Sequence, residues 1–237
     1  MKNEYIRNEN WKLFEDVCQE LSGRESLIGP SMAAVMGPAG RGKSGAAKRY
    51  ASQTEAVYIE PDLERSPVRM LRDICFELGK QKPGRMEGCI DMLKSETKKN
   101  RRLILIDEAD LLQIRILELL RNVNEMTTAP ILLIGEPALR GKLIERPRLS
   151  SRMRRQIELS PITAADVALY FQRNLGLNLN PDVVKTFHRG CGGEWRPVTA
   201  FAARAEKALA SSGLKEIPQE MAENMTAQWL KEQGREK

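Results

Sequence analysis

Two short stretches hold the residue types that phosphate chemistry needs. The first runs from Gly37 to Ser44 and reads Gly-Pro-Ala-Gly-Arg-Gly-Lys-Ser, which fits G-x-x-x-x-G-K-S/T without a mismatch. Gly37, Gly40 and Gly42, with Pro38, Ala39 and Arg41 between them, let the main chain curl so that backbone N–H groups converge on one anion. Gly45 follows where a helix begins, and that helix adds its positive N-terminal end. Lys43 is then placed to reach the β- and γ-phosphates of a nucleotide, and the Ser44 hydroxyl to ligate Mg²⁺. The second stretch is Asp107-Glu108-Ala109-Asp110, directly after the apolar run 103–106. Asp107, at the carboxyl end of a strand, can hold Mg²⁺, often through water. Glu108 is placed to orient and deprotonate a water for attack on the γ-phosphate. Four aliphatics and an acid are weak evidence alone, but roughly 60 residues after a phosphate loop in alternating α/β order they become specific. The pair points to binding and hydrolysis of a nucleoside triphosphate with Mg²⁺.

These residues need strands that end beside one another. The run 32–36 before the glycine loop has strand length, and 45–52 after it reads as a helix. Trp11, Phe14, Cys18 and Leu21 recur at helical spacing before the first strand, with Gly23 as a stop. A second strand is expected over 56–60, closed by Pro61. Pro67 opens a helix with Leu71, Ile74, Cys75 and Leu78 on one face. A polar loop over 79–88 leads into a short helix beginning at Ile90. The continuous apolar run 103–106 predicts a strand buried on both faces, beside the strand of the glycine loop. Leu112, Ile116, Leu119, Leu120 and Val123 mark a helix, 130–135 another buried strand, and 157–159 a last short one. Beyond Ser160-Pro161 strand patterns stop. Val167 to Leu175, Val198 to Leu209 and Ile217 to Trp229 then mark three helices. The expected fold is α/β, a doubly wound parallel sheet of about five strands with ligands at the carboxyl ends of the strands, plus a small C-terminal helical domain. The expected boundaries are 1–30 for an N-terminal helix and linker, 31–160 for the core and 161–237 for the helical domain.

Composition narrows the partners. The formal net charge is +6 and the isoelectric point about 9.2, which favours a polyanion such as nucleic acid. One basic run is Lys98-Lys99-Asn100-Arg101-Arg102. Arg146, Arg148, Arg152, Arg154 and Arg155 form another within ten residues. Lys98, Lys99, Arg101 and Arg102, with Arg65 and Arg69 after the second strand, are the candidates for contact with DNA phosphates. A solvated surface is the alternative for each. The sequence holds no helix-turn-helix or zinc pattern, so no base-specific reading is expected. His188 is the single histidine and the four cysteines lack C-x-x-C spacing, which excludes a histidine metal cluster. No apolar run reaches the roughly 18 residues of a membrane span, and no secretory signal is visible. A cytoplasmic protein, in a bacterial host, is expected.

The glycine loop, the Ile-Asp-Glu-Ala-Asp stretch, the arginine-rich segment before the last strand and the helical C-terminus resemble the AAA+ ATPases. Within them the chain is most similar to the target-selection ATPases of transposons and Mu-type phages. The resemblance rests on 35–50, 103–120 and Arg148-Leu-Ser-Ser-Arg152, and covers residues 10–210. It implies ATP and Mg²⁺ as ligands, ATP-dependent assembly into a ring or helical filament on double-stranded DNA, and delivery of that DNA to a transposase. It further implies that Arg148 or Arg152 is an arginine finger, with a basic surface patch as the alternative, and that Arg196 is the nucleotide-sensing arginine of the helical lid. The Mu-type relative has an N-terminal helix-turn-helix domain, for which about 30 residues before the first strand leave no room. Where the family's fourth strand ends in Asn, Thr or Ser, this chain has Glu136, whose carboxylate would repel a triphosphate. Slow basal turnover is therefore expected. A nucleotide-switched ATPase of secretion or signalling, without DNA, and an origin-type loader are the competing readings.

Overall fold

A computed structural model of the protein describes residues 2, 4–61 and 66–234. Its contacts divide the chain into two units. The larger comprises Asn10–Pro38 and Lys43–Leu159, and the smaller Met1–Glu9, Ala39–Gly42 and Ser160–Lys237.

The larger unit alternates strands and helices. In chain order these are α1 (Glu9–Ser22), β1 (Met32–Met36), α2 (Lys43–Gln53), β2 (Val57–Ile59), α3 (Pro67–Gly79), α4 (Met86–Lys99) and β3 (Ile104–Ile106). They are followed by α5 (Ile114–Thr127), β4 (Ile131–Gly135), α6 (Ala138–Ile144), α7 (Pro147–Ser150) and β5 (Met153–Glu158). All five strands are parallel, in the order β2-β3-β4-β1-β5. The sequence placed the strand of the acids beside the strand of the glycine loop. Instead β4 lies between them, paired with β1 from Met32↔Ile131 to Met36↔Gly135. The order follows burial: β1 and β4 are apolar and fully buried, so both take places with neighbours on each side. Polar β5 takes an edge.

Two further expectations change. β5 runs over six residues rather than three and takes Arg154 and Arg155 into the strand. As an edge strand it needs no continuous apolar run. α4 starts at Met86, inside the expected loop, and ends at Lys99, so Lys98 and Lys99 form its last turn, where cations suit the helix dipole. The principal core lies on one side of the sheet. There Met32, Ala34, Met36, Ile104, Ile106, Ile131 and Leu133 meet Leu71, Ile74 and Cys75 of α3 and Leu117 and Leu120 of α5.

Among the described residues the smaller unit holds four helices where the sequence marked three: α8 (Ala164–Leu175), α9 (Pro181–Cys191), α10 (Trp195–Ser212) and α11 (Gln219–Glu232). α9 is the unexpected one. Asn180 caps it through the N–H of Asp182, Pro181 opens it, and Val183, Val184, Phe187 and Cys191 are buried. Phe187 stacks between Phe171 and Phe201, each pair of centroids 5.1 Å apart. Trp229 meets Phe201 edge-on, so it packs into this core. All four cysteines are free and buried. Among the described residues no helix is long and apolar enough to cross a membrane.

Candidate nucleotide site

The glycine loop joins β1 to α2. Lys43, the first residue of α2, is buried, and its ammonium donates to the carbonyls of Gly37 at 2.7 Å and Pro38 at 3.0 Å. The loop's own oxygens thus hold the cation over the loop, where phosphate oxygens can take their place. Ser44 and Gly45 follow in the first turn of α2, both exposed. In the smaller unit, Gly40 and Gly42 have φ of 77° and 91°, values that favour glycine. A Cβ on Gly40 would lie 2.8 Å from the Cβ of Glu194, and one on Gly42 3.1 Å from Trp195. The Gly40 carbonyl accepts from the N–H of Trp195 at 2.8 Å. The Arg41 guanidinium donates to the carbonyls of Gly192 and Gly193. Arg41, expected to face the nucleotide, is engaged with main chain.

The acids follow β3. Asp107 is 2% exposed and extends the ladder through its N–H to Ile59 O at 2.9 Å. Its Oδ1 accepts the Glu108 N–H at 2.9 Å and its Oδ2 the Tyr58 hydroxyl at 2.7 Å. Burial and the neighbouring carboxylate push the Tyr58 phenol far above its ordinary value, so it stays a donor. Glu60, which also accepts from Tyr58 at 3.2 Å, is ion-paired with Lys48 of α2 at 3.0 Å. Glu108 sits in the left-handed region at φ 47°, ψ 35°. Its carboxyl is raised above the usual range by desolvation, then by Asp107, Glu60 and Asp110. Asp110 reaches across to the end of β4, where its Oδ1 accepts the Glu136 N–H at 2.8 Å. A Cβ on Gly135 would lie 2.5 Å from that oxygen, which explains a glycine at the strand end. The Glu136 residue itself is exposed.

No described group of three His, Cys, Asp or Glu is gathered to hold a metal alone. That suits Mg²⁺, which takes one or two carboxylates and completes its shell with phosphate oxygens and water. A buried carboxylate met by neutral donors on both oxygens fits such a role. Asp107 and the Ser44 hydroxyl would hold the ion, which when bound neutralises charge developing on the phosphates.

Comparison with known proteins shows what this chain is similar to. Residues 28–143, from before β1 into α6, match the family model described as an AAA domain. Over that stretch, just under half of its length, the chain is similar to the AAA domain. It is 30% identical over 156 residues to the ATP-dependent target DNA activator B of Escherichia phage D108, and equally to that of Escherichia phage Mu. Each match covers 62% of this chain and 50% of the relative, so the chain spans about half the length of the curated relatives it matches. Its fold is that of the ORC2 protein of Aeropyrum pernix, with a TM-score of 0.67 and 15% identity over 95% of this chain and 70% of that one.

The arginines and lysines of the chain fall into two groups. Arg148, on α7, is exposed. Arg152 is ion-paired with Glu125 of α5 at 2.5 Å. Arg154 donates to Pro30 O at 2.8 Å and Glu25 O at 2.9 Å, and Arg155 pairs with Glu20 at 2.6 Å. Arg101, expected to meet DNA, donates instead to Thr128 O at 2.9 Å, Leu21 O at 3.2 Å and Ser26 O at 3.4 Å. Arg102 likewise donates to Glu55 O and to Leu78 O. Lys99 pairs with Glu96 on its own helix, while Lys98 is exposed. Arg69 lies in the first turn of α3, exposed, and Arg65 lies outside the described residues. Arg196, the second residue of α10, is exposed in the smaller unit. The sequence reading missed Tyr58, Lys48 and Glu60. The signal for Tyr58 was its place between Val57 and Ile59 on a short strand, which turns it to the other face.

Proposed function

We propose that the chain is an AAA+ ATPase that binds ATP with Mg²⁺, assembles on double-stranded DNA without regard to sequence and delivers that DNA to a transposase. The observation that carries the reading is the joint presence of a complete phosphate loop, a buried Asp107 followed by Glu108, and 30% identity to two activators named for target DNA. In this reading Lys43, Ser44 and the loop from Gly37 to Gly45 bind the triphosphate. Asp107 and Ser44 hold Mg²⁺, and Glu108 activates water. Arg148 is favoured over Arg152 as the finger acting on a neighbouring subunit, because Arg152 is tied to Glu125. Arg196 is the lid arginine that senses nucleotide. Basal turnover is slow, since position 136 carries a carboxylate where the family has a neutral polar residue, and DNA or the transposase accelerates it.

Fluorescence anisotropy of a random-sequence duplex, with ATP, ADP or no nucleotide, tests this. Cooperative binding that needs ATP and is lost in Lys43→Ala is expected. Binding indifferent to nucleotide would reduce DNA affinity to a basic surface, and no binding in any state would favour a protein-partner switch.

A further inference from the structure

We propose that Tyr58 is a positioning residue for the magnesium-holding carboxylate, with Glu60 and Lys48 fixing the phenol that fixes Asp107. The inference rests on the reading of Asp107 as the carboxylate that holds Mg²⁺. It starts from strand register. β2 and β3 are parallel, and Tyr58 lies opposite Leu105. Side chains alternate along a strand, so Asp107, two residues beyond Leu105, projects from the face that Tyr58 shares. Val57 and Ile59 point to the opposite side and are buried in the principal core. One aromatic residue in a three-residue strand is thereby aimed along the sheet at the acid.

The contacts bear this out. The Tyr58 hydroxyl lies 2.7 Å from Asp107 Oδ2 and 3.2 Å from Glu60 Oε2. A phenol has one proton to donate, and it is shared between the two carboxylates, the shorter contact to the buried acid being the stronger. Glu60 is satisfied from elsewhere, by the Lys48 ammonium at 3.0 Å, and that ammonium also lies 5.3 Å from the centroid of the Tyr58 ring. Lys48 thus holds Tyr58 twice, through Glu60 and through the ring face. Because Lys48 stands five residues after Lys43 on α2, the helix that presents the phosphate-binding lysine also braces the acid of β3.

The arrangement is compatible with a metal. A carboxylate offers about four lone-pair sites, and Asp107 uses one on each oxygen, for Tyr58 and for its neighbour's N–H. A lone pair on each oxygen is left for Mg²⁺ or its water, in an orientation the two donors define. Partners of this kind, which orient a ligand without touching the ion, typically govern metal affinity by about 10–100-fold.

The test is Mg²⁺ titration of the full chain with a fluorescent N-methylanthraniloyl ATP, together with its affinity in EDTA. For Tyr58→Phe, which keeps the ring and its packing, the Mg²⁺ concentration at half-saturation should rise by about tenfold. Nucleotide affinity in EDTA should stay within about twofold of the parent, a split that general loosening of the sheet would not give. Glu60→Gln, at an exposed site, should shift the Mg²⁺ midpoint in the same direction by less. Asp107→Asn sets the scale. If it weakens the Mg²⁺ response while Tyr58→Phe titrates like the parent, or more tightly, the role of Tyr58 is overturned and Asp107 stands. If Asp107→Asn leaves the Mg²⁺ response intact, the assignment of Asp107 falls and takes this proposal with it.

Discussion

Glu108 occupies a backbone conformation, φ 47° and ψ 35°, that residues with a side chain rarely adopt and that costs of order 1 kcal/mol. The cost is met where a carboxylate stands apart from the buried Asp107 before it, and in the proposed function that separation divides the work: Asp107 for metal, Glu108 for water. Glu108→Gln should therefore leave ATP binding close to the parent value and lower the single-turnover hydrolysis rate by about 10²-fold or more. Equal loss of binding and rate would contradict the division. A general base works deprotonated, and the Glu108 carboxyl is raised above its ordinary value of 4.5 by desolvation and by Asp107, Glu60 and Asp110. The acid limb of the hydrolysis rate should accordingly lie at higher pH than for an unperturbed glutamate. Glu60→Gln removes one negative neighbour and leaves Lys48, which acts in the opposite sense, so it should move that limb down. A limb that stays put or moves up would exclude electrostatic tuning by Glu60. At this scale the sequence singled out Lys43, Asp107 and Glu108, because the roles proposed for them follow local spacing. It was silent on Tyr58, because a hydrogen bond across 49 positions depends on which strands are neighbours.

The arginines show what a helix end or a strand edge does to a charge that reads as surface in the sequence. Arg101 and Arg102 lie between α4 and β3, and there their guanidiniums meet the carbonyls at the ends of α1, α3 and α5. Helix C-termini leave carbonyls without intrahelical donors, and arginine's fork of donors is suited to them. Arg101 joins three carbonyls, so Arg101→Ala should lower unfolding free energy by about 2 kcal/mol, seen as a reduced denaturation midpoint. An unchanged midpoint with lost DNA binding would return Arg101 to the phosphate-contact role. The same reasoning separates the legible elements from the others. β1 and β4 are apolar throughout and were read to within a residue or two. β5 was shortened because an edge strand has only part of its surface buried, and its Met-Arg-Arg-Gln start lacks a strand pattern. α9 was missed although Val183, Val184, Phe187 and Cys191 share a face, because the Asn178-Leu179-Asn180-Pro181 turn residues mask its first turn. No local pattern encodes that β4 stands between β1 and β3, since that order is fixed by long-range pairing.

For the whole molecule, the net charge of +6 overstates what is available to a polyanion. Arg101, Arg102 and Arg154 are engaged with carbonyls, and Arg152 and Arg155 with glutamates. Exposed Lys98, Arg146 and Arg148 are left as the principal candidates from the two basic runs. Binding to DNA by a subunit with few phosphate contacts must be weak singly, and its strength must come from many subunits side by side. The proposed assembly on DNA is in keeping with this charge distribution. Each phosphate neutralised contributes about −0.9 to the slope of log affinity against log salt concentration. Per subunit, in the ATP state, the slope should correspond to two or three contacts rather than to the full arginine count. Lys98→Ala should reduce it by about one, whereas Arg102→Ala should lower stability and leave the per-subunit slope of the folded fraction unchanged. Anisotropy titrations at a series of salt concentrations give both quantities. A slope that is steep for the parent and falls with Arg102 but not with Lys98 would mean that the carbonyl-bound arginines release their partners on DNA, and that the exposed lysine is bystander surface.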